Sequence, residues 1–257
     1  TVDTSSIVDI INTIMESQNN TNYKVYAIVA PSIASQFLYA KLGQVITGIK
    51  KLGFHSVMEV AFGADMIASK EAEELIEKGF LTSSCCPAFV KYIETKYPAL
   101  VDKISSNLSP MAELGKYIKE NDPTAKVVFI GPCIAKKAEV RREEVKQYVD
   151  FAMTFEELQA LLDSKNILLR EQKSTDLNQA TYYGRIFAKS GGLVKAIEKA
   201  LSEMDISDFT FDPAICDGID KCKAALAKAE KNVLANNFIE GMACEGGCIG
   251  GSGNLVR

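Results

Sequence analysis

Short apolar runs alternate along this chain with stretches of helical periodicity. The runs cover residues 24–29, 56–62, 80–82, 126–130 and 148–153. Near-continuous apolar runs of this length are typical of strands that are buried on both faces of a parallel sheet. Because such strands alternate with helices, the pattern predicts an α/β fold with mostly parallel sheets.

Amphipathic patterns between the apolar runs predict the helices. In residues 1–20, one helical face is formed by Ile7, Ile10, Ile11 and Ile14. Further helical patterns run from about 33 to 52, 63 to 78, 90 to 97 and 191 to 204, and Thr154 suits the N-cap of another helix. Residues 164–180 are polar and predict a loop, and residues 233–238 lead into a glycine-rich segment. No internal repeat or long linker is visible.

The composition argues against several classes of function. The chain has 257 residues, 47% of them hydrophobic, which is enough for a large core. The net charge of −4 gives no general attraction for nucleic acid or an anionic membrane. No apolar run reaches the roughly 18 residues that a membrane span needs. The polar segment after Thr1 has no basic signal-peptide start. We therefore expect a cytoplasmic protein without nucleic-acid or membrane partners.

The cysteine count favours metal binding or catalysis. Seven cysteines are present, and an odd number in a large chain without a secretory signal argues against a disulfide framework. His55 is the single histidine, whereas zinc enzymes and Ser-His-Asp hydrolases usually need more imidazole. Any proton transfer must therefore use Cys, Glu, Asp or Lys side chains.

Residues 240–253 combine two cysteines with a run of glycines. Cys244 and Cys248 are four residues apart, a spacing that would place both thiols on one side of a helical turn. The glycines allow the backbone to approach a bulky group and to point N–H donors at it. Iron–sulfur clusters are anionic and need thiolate ligands and such donors. By itself, this segment fits a cluster site and equally a glycine-rich turn with two buried thiols.

Three cysteine-bearing turns follow predicted strands, where open α/β sheets place their ligands. They are Ser83-Ser84-Cys85-Cys86-Pro87, residues 131–139 and residues 242–253. Together they resemble the three signature segments of the [FeFe]-hydrogenase catalytic domain, which holds the H-cluster. Shorter matches at Ala30-Pro31-Ser32, Phe62-Gly63-Ala64-Asp65 and Asn107-Leu108-Ser109-Pro110 fall in the same order. The resemblance therefore covers residues from about 26 to 253.

The resemblance implies a cofactor in two parts. A [4Fe-4S] cluster would be held by four cysteines: Cys86, Cys133, Cys244 and Cys248. Cys248 would also bridge to a two-iron subsite that carries CO, cyanide and a bridging dithiolate. Spacing alone predicts only a thiolate-ligated iron–sulfur site, and buried apolar thiols are the alternative reading.

The resemblance also implies which residues surround the two-iron subsite. Lys136 corresponds to the donor to one cyanide, and Ser32 with the backbone near Pro31 to the donors to the other. Met242 corresponds to a methionine that packs on the subsite, and Pro132 belongs to the binding segment. Glu139 would fix the loop that carries Lys136. The alternative for Lys136 is a surface lysine, which its neighbour Lys137 could also be. The alternative for Glu139 is a surface carboxylate.

A proton path is implied as well. Cys85 corresponds to the family's proton-transferring thiol, and Glu71 and Glu74 correspond to its two relay carboxylates, linked by the hydroxyl of Ser105. The two carboxylates are three residues apart and would share a helix face. With Lys136, these are the candidate catalytic residues. The alternative is a solvated acidic face with one serine.

The implied activity is that of an iron hydrogenase, the reversible oxidation of H2 to protons and electrons. Electrons would be exchanged with a ferredoxin-like partner or an appended iron–sulfur module, because the chain lacks the Cys-x2-Cys-x2-Cys runs of ferredoxin modules. Maturation proteins would supply the two-iron subsite. The implied architecture is a single H-cluster domain over residues 1–257, with a first lobe at about 1–108, a second at about 109–231 and a cluster-binding segment at 232–257. Each lobe would carry a small parallel sheet flanked by helices, with the iron–sulfur site between the lobes.

Departures from the family pattern keep two other functions open. Ala88-Phe89 stands where the most active members have Gly-Trp, Gly131 where they have Met, and Met111 where they have Gln. Such changes beside the ligands tune a metal site without removing it, and they resemble divergent branches with a sensory role. One alternative is an H2 sensor with slow turnover. The other is a non-catalytic iron–sulfur assembly protein that holds only a [4Fe-4S] cluster.

Two cysteines, Cys216 and Cys222, match no ligand of the family. We expect them to be free thiols, with an extra cluster or a partner contact as the alternative. Asp217-Gly218 between them predicts a turn before a helix.

Overall fold

The computed structural model describes residues 4–204, 206 and 209–256. Its strands are β1 (Val25–Val29), β2 (Ser56–Glu59), β3 (Leu81–Thr82), β4 (Lys126–Gly131), β5 (Phe151–Thr154), β6 (Pro213–Asp217) and β7 (Phe238–Met242). They form a four-stranded sheet of order β2-β1-β4-β5 and a three-stranded sheet of order β3-β7-β6. All strand pairs in both sheets are parallel. The predicted α/β architecture is confirmed.

Helices connect and cover the strands. They are α1 (Ile7–Glu16), α2 (Leu42–Lys51), α3 (Val60–Lys78), α4 (Pro87–Lys96), α5 (Pro110–Asn121), α6 (Ala135–Glu139), α7 (Phe155–Ser164), α8 (Tyr182–Ile186), α9 (Gly192–Glu203) and α10 (Ile219–Glu230). Short 3₁₀ helices lie at Pro31–Ser35, Pro98–Lys103, Leu169–Glu171 and Cys248–Gly250. Among the described residues, no helix is both long and apolar enough to span a membrane.

The four-stranded sheet lies in the larger core. Its register sets Ala27 beside Val57 on one neighbour and beside Val128 on the other. These side chains are buried, as the apolar runs predict for strands with helices on both faces. Ile10 on α1 is fully buried in the same core, and the other three isoleucines of that helix pack against it.

The smaller sheet packs between two further cores. In its central strand, β7, every residue is buried. On one side, the long helix α3 packs with α9 around Leu75, Leu193 and Phe238. On the other side, α4 and α10 pack around Phe89 and Leu226.

The sheets do not follow the expected division of the chain near residue 108. β1 and β2 lie in the larger sheet, but β3, also from the first 108 residues, lies in the smaller one. Similarly, β4 and β5 join the larger sheet, whereas β6 joins the smaller one. Parallel neighbours need long crossover connections, so strands distant in the sequence become partners. The lobes are therefore mixed in sequence.

Several element boundaries also differ from the expectations. The strand expected over 56–62 ends at Glu59, and α3 begins at Val60, because an apolar run such as Val60-Ala61-Phe62 suits either structure. The helix expected from 33 to 52 is a 3₁₀ turn followed by α2. The helix expected over residues 1–20 spans Ile7–Glu16. Residues 1–3 of the expected range lie outside the described part of the chain.

Candidate functional site

A cavity of about 780 Å³, its opening included, lies between the carboxyl ends of the two sheets. From the larger sheet it is lined by the segments that follow β1 and β4, and from the smaller sheet by those that follow β3 and β7. The chemically active side chains of its lining are Cys85, Cys86, Cys133, Cys244, Cys248 and Lys136. Ligands bind at this edge of parallel sheets because the strand-end turns converge there. The structure thus brings all three predicted cysteine-bearing turns to one place.

Local sequence explains how each turn presents its cysteine. Cys86 is the residue before α4, whose first residue, Pro87, is preset for a helix start. Cys133 lies just past the end of β4, before α6. Each turn carries its thiol outward from the end of a strand.

The turn between Cys244 and Cys248 is not the helical turn that the four-residue spacing suggested. Gly246 and Gly247 have φ angles of 79° and 80°, which are left-handed and favour glycine. A Cβ on Gly247 would lie 2.7 Å from the Ser190 nitrogen and 2.8 Å from the Ala188 oxygen. The glycines therefore let this turn pack against the loop at residues 188–190.

Four of the thiols that line the cavity could together hold a cluster. No disulfide joins the seven cysteines, all of which belong to the described residues. Among the described residues, no three Cys, His, Asp or Glu side chains are grouped closely enough for one metal ion. In an iron–sulfur cubane each thiolate binds a different iron, so the ligands stand around a larger object. Four thiols on one cavity fit that requirement.

Added positive charge would stabilise the thiolate forms of the buried cavity cysteines. Burial raises the pKa of the Cys133 thiol to about 11. Burial also raises the pKa of Cys248, and the charges of Cys133 and Cys86 add to the effect. Thiolates are the metal-binding form, and a bound cation overturns this balance by stabilising them. The cavity therefore fits a group that brings metal cations with it.

Lys136 places a buried positive charge on the cavity wall. Its Nζ donates to Ser109 Oγ at 3.0 Å and to the Cys85 carbonyl oxygen at 3.3 Å, and it pairs with Glu139 Oε2 at 2.6 Å. Burial acts to lower the pKa of Lys136, but the Glu139 carboxylate outweighs it, so the pKa is raised overall. Lys136 therefore stays an ammonium group that can donate to an anionic ligand.

Neither Glu139 nor Lys137 is a surface residue. Glu139 is 6% exposed and accepts a hydrogen bond from Ser109 Oγ at 2.5 Å, which fixes the loop before α6. Lys137 is 5% exposed and pairs with Glu157 at 2.8 Å. The surface alternatives were wrong because α6 is a single short helix packed between α4 and β5, which leaves little of it open to solvent.

The remaining candidate binding residues are divided between two cavities. Pro31, Pro132 and Met242 line the cysteine cavity. Ser32 lines an adjoining cavity of about 960 Å³, opening included, which Pro31 also borders. The Ser32 hydroxyl is buried, and its Oγ has no hydrogen-bond partner among the described residues. A buried polar atom without a partner needs a ligand or a water molecule to satisfy it.

Cys85 lines the cavity, and the buried Glu71 lies close enough for its charge to act on the Cys85 thiol. Burial raises the pKa of the Cys85 thiol well above its usual value, and the charge of Glu71 adds to this. Burial, followed by the charges of Glu74 and Glu240, raises the pKa of Glu71 to about 8. Glu71 Oε1 has no hydrogen-bond partner among the described residues. Both groups therefore hold their protons near neutral pH.

Glu74 lies nearer the surface and is well supplied with donors. Its carboxylate accepts hydrogen bonds from Ser105 Oγ at 2.8 Å, the Ser106 nitrogen at 2.9 Å and Lys78 Nζ at 2.6 Å. Burial acts to raise the pKa of Glu74, but these bonds lower it overall. Ser105 was expected to link the two carboxylates, yet within the described hydrogen bonds its hydroxyl contacts Glu74 and not Glu71.

Two departures from the family pattern lie at the cavity wall. Met111 is fully buried and lines the cavity. A Cβ on Gly131 would lie 2.3 Å from the Phe129 ring, so that ring fills the space beside Gly131 and forms part of the cavity wall. Phe89 fills the space beside Gly241 on β7, in the core under α4 and α10.

Sequence reasoning missed Glu240 and the loop that it holds. Glu240 on β7 is fully buried and accepts hydrogen bonds from the Gly191 nitrogen at 2.7 Å and the Val194 nitrogen at 2.8 Å, at the start of α9. This contact fixes the loop that brings Phe187 and Ala188 to the cavity. Burial raises the pKa of Glu240 to about 7. A charged residue inside a central apolar strand was the signal that could have revealed it.

Comparison with known proteins matches nearly the whole chain. The family model for the iron only hydrogenase large subunit, C-terminal domain, matches residues 23–252. Iron hydrogenase 1 of Clostridium pasteurianum is 26% identical over 258 residues, which covers 82% of this chain and 45% of that protein. The cytosolic Fe-S cluster assembly factor NAR1 of Kluyveromyces lactis is 38% identical over 90 residues, which covers 35% of this chain and 19% of that protein. The chain spans about half the length of curated relatives such as Iron hydrogenase 1.

Solved structures share the fold. The [FeFe]-hydrogenase HydA(deltaEFG) matches with a TM-score of 0.79 and 21% identity, over 98% of this chain and 84% of that one. A variant of [FeFe]-hydrogenase HydA1 from Chlamydomonas reinhardtii matches with a TM-score of 0.78 and 20% identity, over 98% of this chain and 85% of that one. At these identities the likeness shows a common fold.

Proposed function

Because the chain belongs to the family of the iron only hydrogenase large subunit, C-terminal domain, we propose that it is an [FeFe]-hydrogenase domain that catalyses the reversible oxidation of H2. The observation that carries the proposal is the cavity itself, where four cysteines from three turns meet a fifth thiol and a buried lysine. Four thiols alone would suit any iron–sulfur cluster. The fifth thiol, Cys85, adds a proton carrier, and Lys136 adds a hydrogen-bond donor to an anionic ligand.

The proposed [4Fe-4S] cluster would be held by Cys86, Cys133, Cys244 and Cys248, and Cys248 would also hold a two-iron subsite with CO, cyanide and a dithiolate. When bound, that subsite would supply the metal chemistry that splits H2 into protons and electrons. The buried ammonium group of Lys136 could donate to one cyanide, and the unpartnered hydroxyl of Ser32 with the backbone at Pro31 could serve the other. Met242 would pack on the subsite, and Pro132 holds the C-terminal segment by accepting a hydrogen bond from the Gly253 nitrogen at 2.7 Å.

Protons travel between the cavity and solvent through side chains of this chain. The Cys85 thiol holds a proton at the cavity wall, and Glu71 behind it holds another with a pKa of about 8. Glu74 stands one helical turn further along α3, and hydrogen-bonds Ser105 near the surface. A carrier with a pKa near neutrality can both take up and release a proton, as a relay requires. A cluster held by the four cysteines would supply electron exchange with a ferredoxin-like partner or an appended iron–sulfur module.

The direct test compares two preparations of this chain, made with and without the hydrogenase maturation machinery. Nothing in the chain can synthesise cyanide or the dithiolate, so the preparation without maturation should hold about four irons per chain, in a [4Fe-4S] cluster, and should not evolve H2 from a reduced dye. The matured protein should hold more iron and evolve H2. Equal inactivity of the two preparations, with equal iron, would contradict the proposal.

Two other functions are each supported by one observation. The match to an Fe-S cluster assembly factor supports an assembly protein that holds only the cubane and does not turn over H2. That function predicts equal inactivity in the test above. Gly131 stands where the most active members have Met, and this resemblance to the sensory branches supports an H2 sensor, which would hold the whole cofactor but turn over slowly. Cys85, Lys136 and the unpartnered Ser32 favour the complete cofactor over the cubane alone.

A further inference from the structure

Two cysteines outside the cavity lie side by side. Cys216 is near the end of β6 and Cys222 is in the first turns of α10, and they are 4% and 0% exposed. Cys222 Sγ lies 3.6 Å from the backbone oxygen of Cys216 and 3.6 Å from that of Met242. The Cys222 side chain therefore lies against the backbone of Cys216, and the two thiols can meet without a large movement of the backbone.

The contact makes the two thiols chemically unequal. The neighbouring Cys222 thiol lowers the pKa of Cys216, although burial opposes this. The same contact, together with burial, raises the pKa of Cys222. In dithiol chemistry the thiol with the lower pKa attacks first and its partner resolves the mixed disulfide. The pair has that asymmetry.

The position of the pair on the sheet gives a route for a small oxidant. β6 is an edge strand, because it pairs with β7 and ends the order β3-β7-β6. Ile215, the residue before Cys216, is 48% exposed. Edge strands open locally more readily than central ones because one side lacks ladder hydrogen bonds. A small opening of β6 would uncover Cys216 first.

We propose that Cys216 and Cys222 are a redox-active dithiol that small-molecule disulfides convert reversibly into an intramolecular disulfide. The Cys216 thiolate attacks one sulfur of the small disulfide and releases the first small thiolate. Cys222 then loses its proton and attacks the Cys216 sulfur, which releases the second. In sum, two cysteine thiols and one small disulfide give one protein disulfide and two small thiols. The two cysteine protons end on the released thiols, and the two electrons reduce the small disulfide.

The pair adjoins the turn that carries two proposed cluster ligands. Asp217, the residue after Cys216, accepts hydrogen bonds from the Gly246 nitrogen at 2.5 Å and from Ser190 Oγ at 2.7 Å. The Gly218 nitrogen donates to the Met242 oxygen at 2.9 Å. A bond between Cys216 and Cys222 would close a short loop around Asp217 and Gly218. The disulfide would therefore fix the segment that holds the turn between Cys244 and Cys248.

The test uses the protein as purified without oxygen, in anaerobic glutathione buffers of graded redox ratio. Free thiols are trapped with an alkylating reagent under denaturing conditions, and the peptides are weighed. We expect the peptides with Cys216 and Cys222 to become linked, with the loss of two hydrogen atoms, as the buffer becomes more oxidising. Reduced glutathione should reverse this. In Cys216→Ser the linked form should be absent, and Cys222 should remain alkylatable at every ratio.

Two results would overturn the proposal. The first is full alkylation of both cysteines at every redox ratio, which would make them inert buried thiols. The second is glutathione that stays on Cys216 without transfer to Cys222, which would mean that the sulfurs do not meet. The readout is the mass of these peptides and does not depend on H2 turnover or on the two-iron subsite. Failure of the proposed function would therefore leave this result unaffected.

Discussion

At the scale of single residues, the seven cysteines fall into three sets by position. Four line the cavity on separate turns, Cys85 lines it beside a ligand, and Cys216 and Cys222 lie apart in the core under α10. The strand-end turns predicted the five thiols that line the cavity, and the family resemblance separates Cys85 from the four proposed ligands. The sequence could not predict the contact between Cys216 and Cys222, since that depends on how β6 and α10 meet in space.

The first prediction separates the ligands from the other thiols. Replacing Cys133 or Cys244 by Ala should abolish cluster binding, because a cubane iron without its thiolate is exposed to exchange. Cys216→Ala and Cys222→Ala should keep the cluster and serve as matched controls. Iron content and visible absorbance of the purified proteins measure this. Cluster loss in Cys216→Ala equal to that in Cys133→Ala would require a different ligand set.

The second prediction concerns the proton carrier. Cys85→Ala should keep the whole cofactor but lower H2 turnover by at least about a hundredfold, the usual scale for losing a general acid–base group. Cys85→Asp should retain more activity than Cys85→Ala because a carboxyl can still carry a proton. The measurement is H2 evolution normalised to iron content. Unchanged turnover in a fully loaded Cys85→Ala protein would exclude this path.

The third prediction uses opposite pKa shifts on one helix. The folded pKa of Glu71 is raised to about 8, so the folded chain keeps a proton that the unfolded chain releases. Stability should therefore fall as pH rises from the unfolded value of 4.5 to about 8. Glu71→Gln should remove this loss and be more stable than the parent at alkaline pH, by on the order of a few kcal/mol.

Glu74→Gln is the matched control on the same helix. The folded pKa of Glu74 is lowered, so its carboxylate stabilises the fold above the unfolded pKa, and this contribution is lost as pH falls. The variant should be less stable than the parent at neutral pH. Urea unfolding at several pH values measures both variants. If Glu71→Gln and Glu74→Gln have the same pH profile, the assignment of the two environments is wrong.

At the scale of elements, sequence patterns predicted most of the larger sheet and failed at less regular pieces. The runs that became β1 and β4 are apolar and central, so burial on both faces identifies them. β6 was missed because it begins with Pro213, is an edge strand and has an exposed Ile215. The helix α5 was not predicted either, although Ser109 caps it and Pro110 begins it. Ser109 caps the helix by accepting from the nearby Ala112 nitrogen. Its hydroxyl also contacts Glu139 and Lys136, which are distant in the sequence.

The fourth prediction concerns the junction of β7 and α9. Glu240→Ala would leave the Gly191 and Val194 nitrogens buried without acceptors, which should cost about 1–3 kcal/mol of unfolding free energy. Amide hydrogen exchange should rise at residues 188–194, where the loop meets the cavity. Glu198→Ala on the exposed face of α9 is the control and should change neither quantity. Unaltered exchange in Glu240→Ala would show that the loop is held by other contacts.

At the scale of the whole molecule, the two parallel sheets determine where the cysteine cavity lies. The segments that follow their strands determine the shape of the cavity. Convergence of strand-end turns was predictable from the order of strands and cysteines along the chain. The mixing of the lobes was not, since β3 and β4 separate into different sheets only through tertiary packing. The burial of Lys137 and Glu139 was missed for the same reason, because it depends on neighbours that are distant in sequence.

The central claim is that this cavity holds a cubane together with a two-iron subsite, and the infrared spectrum of the matured protein tests it most directly. Bound CO and cyanide absorb where protein does not. We predict both sets of bands in the matured protein, with the cyanide bands altered or lost in Lys136→Ala but unchanged in Lys137→Ala, which pairs with Glu157. A matured, cubane-loaded protein without CO and cyanide bands would contradict the account.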